Sequence, residues 1–124
     1  MKKKYQTFTF LLAPGTTPGI YEQSIELDRA FHAVTGVTVY ETSNGGVSAY
    51  KIGLQDDAGH VLHTLTHKKD WLPGENVSLN ERYKDLEYAI RGNKLEVQLR
   101  TAAVLTLALE LDIVFRLEKN ADQD

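Results

Sequence analysis

From Thr106 to Lys119 the chain places Leu107, Leu109, Leu111, Ile113, Phe115 and Leu117 at every second position. Successive side chains of a strand point to opposite faces, so this period of two gathers all six on one side. A helix turns about 100° per residue and would scatter them around its circumference. Residues 106–118 are therefore expected to form a long strand, with Glu110, Asp112, Arg116 and Glu118 on the outer face. Such a strand needs a second layer to cover its apolar side.

The same period recurs along the chain. Strands are expected near residues 4–12, 20–28, 36–43, 47–55, 60–67, 75–79, 86–91, 94–101 and 106–118. Short connections make nearly all of them antiparallel. The fold class that follows is all-β: an antiparallel β-sandwich, jelly-roll-like, of eight or nine strands with at most one or two short helical turns. A chain of 124 residues, 42% hydrophobic and 25% charged, builds one core, so residues 1–124 are read as a single domain. The basic arm (residues 1–4) and the acidic tail (residues 119–124) are expected to be flexible.

Three turns are marked. Asn44-Gly45 suits a two-residue hairpin, which would set Val39 opposite Tyr50 and Val37 opposite Ile52. Gly92-Asn93 would set Ile90 opposite Leu95, Tyr88 opposite Val97 and Leu86 opposite Leu99. Asp56-Asp57-Ala58-Gly59 suits a type I turn followed by a left-handed glycine. Two short helical segments are also expected: one at residues 28–35, with Asp28 as cap and Gly36 as stop, and a turn at residues 80–84.

Several function classes are excluded or disfavoured. With no cysteine there are no disulfides, thiolate metal sites or cysteine nucleophiles. A net charge of −3 does not suit a nucleic-acid-binding body. His60, His63 and His67 lie on an expected strand, where His63 and His67 share a face about 13 Å apart and His60 points the other way, so no metal site is expected. Asp56, Asp57 and Asp70 lack EF-hand spacing. No nucleophile elbow, phosphate-cradling glycine loop or zinc-protease motif occurs, so neither catalytic residues nor a cofactor is expected.

Two segments suggest contact instead. Trp71 and Leu72 sit in a loop before Pro73-Gly74, where they either cap the end of the sandwich or anchor in a partner's pocket, tryptophan being common among interface anchors. Ala102, Ala103, Val104 and Leu105 join two strongly patterned strands without a Gly, Pro, Asn or Asp; such a loop is either buried within the single chain or, exposed to water, signals a contact surface. The length of the last strand adds a second reason, because an overhanging strand edge is usually covered by a neighbour.

This succession of turns, the long alternating strand, the apolar turn at residues 102–105 and the basic arm Lys2, Lys3 and Lys4 together resemble small viral or phage jelly-roll virion proteins of capsid, vertex or decoration type. The resemblance implies a non-enzymatic structural protein that forms symmetric homo-oligomers with itself and meets other virion proteins. The arm would touch nucleic acid, lipid or a neighbour, and the location would be the virion. The alternative is a ligand-binding sandwich, such as a carbohydrate-binding module, with Tyr21, Tyr40, Tyr50, Tyr83, Tyr88 and Trp71 as stacking platform. That protein would be cytoplasmic or secreted. No signal peptide or transmembrane segment is recognised, because the apolar run after the lysines is broken by polar residues.

Overall fold

The computed structural model describes residues 2–56, 58–72, 83–90 and 94–119. Eight strands follow in chain order: β1 (Lys2–Leu12), β2 (Gly19–Glu26), β3 (Ala33–Asn44), β4 (Lys51–Asp56), β5 (Val61–His67), β6 (Lys84–Ala89), β7 (Lys94–Thr101) and β8 (Leu109–Lys119). A single 3-10 turn, Lys68–Asp70, is the one helical element among the described residues. The strands form two four-stranded antiparallel sheets, ordered β1-β8-β3-β6 and β2-β7-β4-β5. The chain is thus an all-β sandwich. Every connection changes sheet except the one from β4 to β5.

Period-two patterning fills the space between the sheets. Strand β8 sends Leu109, Leu111, Ile113, Phe115 and Leu117 inward, each no more than 2% exposed. They meet Phe10 and Leu12 of β1, Val34, Val37 and Val39 of β3, and from the other sheet Ile25, Ile52, Leu54, Leu95, Val97 and Leu99. Burying one such side chain contributes roughly 1.5–3 kcal/mol, so this row is a substantial part of the core.

Two expected hairpins are not pairings of this fold. Val39 lies opposite Ile113 and Val37 opposite Phe115, while Ile52 lies opposite Leu99. Asn44 and Gly45 do turn the chain, with Gly45 at φ 72° and Gly46 at φ 76°, but the turn carries it from one sheet to the other. Likewise β6 and β7 lie in different sheets; Tyr88 pairs with Val34 and Val97 with Leu54. The turn residues 92 and 93 are outside the described set. The hairpin that forms is the third one. Gly59 has φ 87°, and the Asp56 carboxylate accepts the amides of Ala58 (3.0 Å) and His60 (2.8 Å).

Three other expectations are corrected. Asp28 does cap, its carboxylate accepting the Ala30 amide at 2.9 Å, but one turn suffices and β3 begins at Ala33, where Val34 enters the core. The final strand begins at Leu109 rather than residue 106, and Leu107 is 57% exposed. Lys2, Lys3 and Lys4 are strand residues rather than a free arm, paired with Lys119, Glu118 and Leu117. The expected strand at residues 75–79, most of the helical turn at 80–84, and the tail beyond Lys119 fall outside the described residues.

The two long sides of the sandwich are closed differently. On the β1/β2 side the Gln6 amide donates to the Glu26 carbonyl (2.7 Å) and accepts from the Asp28 amide (3.1 Å), and Gln23 donates to the Leu11 carbonyl (2.9 Å). Lys4 pairs with Asp28 at 2.6 Å. On the β5/β6 side Trp71, only 3% exposed, fills the gap. Its indole donates to the Thr66 hydroxyl (2.9 Å), His63 packs on its ring at 4.5 Å, and the Lys84 ammonium lies 5.6 Å from its centre.

Candidate functional site

One end of the sandwich gathers three connections: residues 13–18, 45–50 and 102–108. Backbone hydrogen bonds tie them together. Gly15 donates to Leu105 (2.7 Å) and Leu105 to Thr16 (3.0 Å), while Thr106 (3.0 Å) and Leu107 (3.2 Å) both donate to Gly45. The close approach explains the two glycines. A Cβ on Gly45 would stand 2.9 Å from Leu105, and one on Gly46 would stand 1.9 Å from the Thr106 hydroxyl. Positive φ at both positions penalises other residues further.

The β7–β8 connection is therefore held by its neighbours and presents a fixed shape. Leu105 is 1% exposed and anchors the loop in the core. Ala102, Ala103, Val104 and Leu107 face solvent, with Val104 52% exposed. Among the described residues seven large apolar side chains are exposed, and Leu11, Ile20, Val104 and Leu107 all lie at this end. Leu11 and Ile20 lie on the outer faces of the two sheets, and Val104 and Leu107 on the fixed loop between them; an apolar set gathered at one end suits a contact with another molecule.

The expected contact residues thus divide. Ala102, Ala103 and Val104 are exposed, and Leu72 is half-buried. Trp71 and Leu105 are core residues of the single chain, and side chains so enclosed have no surface left for a partner. The length of β8 no longer argues for a neighbour either. β8 is an interior strand, paired with β1 from Leu109 to Lys119 and with β3 over most of the same span.

The histidines go to separate partners. His60 bonds the Asp56 carboxylate at 3.0 Å, His63 packs on Trp71, and His67 accepts the Lys69 amide at 3.1 Å. Burial, the largest influence, would raise the Asp56 pKa, but hydrogen bonds from His60 and Ala58 outweigh it and hold the carboxyl below its usual value.

The aromatics do not form one platform. Tyr50 is 2% exposed; burial, then its hydrogen bond to Glu41, pushes its phenol far above the usual value. Trp71 and Tyr88 pack at the core, whereas Tyr21 lies in the other sheet from Tyr40. Tyr83 instead meets Tyr5 (5.6 Å) and the Arg116 guanidinium (5.3 Å). Sequence reasoning missed Leu107, Leu11 and Ile20, because alternation assigns Leu107 to the inner face and treats the other two as ordinary strand residues. No helix among the described residues is long and apolar enough to cross a membrane. The sequence matches no protein-family model and no curated protein.

Proposed function

We propose that this chain is a non-enzymatic assembly subunit: a jelly-roll sandwich of the small virion type that forms symmetric homo-oligomers, as shell, vertex or decoration subunit of a phage-like capsid. The carrying observation is the apolar end, where Val104 and Leu107 are more than half exposed on a loop fixed by hydrogen bonds to two others. A rigid apolar surface loses little conformational entropy when a copy covers it. A closed symmetric ring would repeat that contact identically in each subunit. The strand order supports the jelly-roll part, since eight strands that change sheet at all but one connection wind as paired Greek keys do.

Sedimentation equilibrium at micromolar concentration tests the reading. The expected result is a single defined oligomer, reduced to monomer by Val104→Asp with Leu107→Asp. Both positions are exposed, so the double variant should keep its circular dichroism spectrum. A wild-type monomer at that concentration would overturn the proposal.

A further inference from the structure

Beside the apolar end lies a cleft of about 250 Å³ lined by Ala49, Tyr50, Lys51, His67, Arg100 and Ala102. Lys51 of β4 is directly opposite His67 of β5 on one side and Arg100 of β7 on the other. His67 and Arg100 therefore flank Lys51 about 10 Å apart, two strand spacings, a gap that one small ligand seated over Lys51 can bridge.

All three side chains are exposed, and two features set this row apart from the rest of the charged surface. Like charges directly opposite destabilise a sheet, yet this protein of net charge −3 places Lys51 against Arg100. No acid lines the cleft, and among the described residues neither cation has an ion pair. Two carboxylates near the row are engaged elsewhere: Glu41 by the Tyr50 hydroxyl and by Lys68 at 3.1 Å, and Glu22, diagonal to Arg100 on the β2–β7 ladder, by the Gln98 amide at 2.9 Å.

One donor is also oriented. His67 accepts the Lys69 amide proton on Nδ1, which leaves the Nε2 proton to donate elsewhere. Arginine supplies a planar fork and lysine a compact ammonium, so three strands bring three kinds of N–H donor to one place. A tetrahedral anion offers three or more acceptor oxygens in different directions and matches this set better than a carboxylate.

We propose that the cleft is a binding site for an oxyanion, the phosphate or sulfate group of a small ligand, held by Lys51, His67 and Arg100. The three cations take no part in the assembly reading, with which the cleft shares only Ala102, so a monomer should bind at least as well as an oligomer. When the anion belongs to an ester, the remainder of the ligand lies against Ala49 and Ala102.

The test is thermal unfolding of the full chain, with amide NMR shifts, during titration with inorganic phosphate, inorganic sulfate, glucose 6-phosphate and glucose 6-sulfate. Sodium chloride at matched ionic strength and plain glucose are the controls. The expected result is a saturable rise in melting temperature, with shifts centred on the amides of Lys51 and Arg100. Lys51→Gln and Arg100→Gln should each weaken binding at least tenfold and, without ligand, melt no lower than wild type. Lys94→Gln, which removes one charge at the far end of β7, should bind as wild type does. Tighter binding of the esters assigns the oxyanion to an ester, and equal binding assigns it to the free ion. A response reproduced by chloride, or unchanged in Lys51→Gln, would overturn the proposal.

Discussion

The β1/β2 side of the sandwich is stitched by side-chain amides, whereas the β5/β6 side is plugged by an indole. Gln6 serves both the Glu26 carbonyl and the Asp28 amide, so it stands in for a strand residue across the gap. Trp71 instead excludes water from the gap and brings one polar atom, which Thr66 satisfies. Water replaces a lost stitch at the margin of a fold, but it does not replace a lost ring. The stitched side also spends edge carbonyls that a foreign strand would otherwise use as a template.

Substitutions should rank accordingly. Trp71→Ala should cost most, about 3–5 kcal/mol by urea unfolding followed with circular dichroism, because the plug leaves a cavity. A loss no larger than that of a stitch would erase the distinction between the two sides. Gln6→Ala should cost about 1–2 kcal/mol, since two backbone groups lose their partner where water reaches them in part. The smallest effect belongs to Asp28→Asn. A hydrogen bond from Lys4, the largest influence, holds the Asp28 carboxyl below its ordinary 3.8. Because the folded-state value is the lowered one, its stabilisation is present above that ordinary value and disappears as pH falls through the lowered one. Urea midpoints of wild type and Asp28→Asn should therefore differ at pH 7 and draw together as the pH is taken below 3.8, and a constant gap would remove the Lys4–Asp28 clasp from the account.

Strand existence was legible because alternation depends on neighbouring residues alone. Pairing was not legible, for a specific reason. Each strand turns one apolar face inward, so Val39 is as well matched to Tyr50 as to its true partner Ile113. Asn44 and Asp56 both close their own turns, but only at Asp56–Gly59 do the flanking strands pair, so only there did the local reading give the partner as well as the turn. At the apolar end, the exposure of Ala102, Ala103 and Val104 followed from a connection lacking turn residues. That of Leu107 did not, because a distant carbonyl, Gly45, captures its amide and ends the alternation. The cationic cleft leaves no local signal: Lys51, His67 and Arg100 become neighbours only once three strands are in register.

The position of β8 sets a timetable for biosynthesis. It joins β1 to β3 in its sheet, yet emerges from the ribosome after both, and after β6. Until it arrives, the earlier strands hold apolar faces and open backbone groups with nothing to zip them together. Slow, all-at-once closure follows, as does a window in which a nascent chain needs sheltering from its copies.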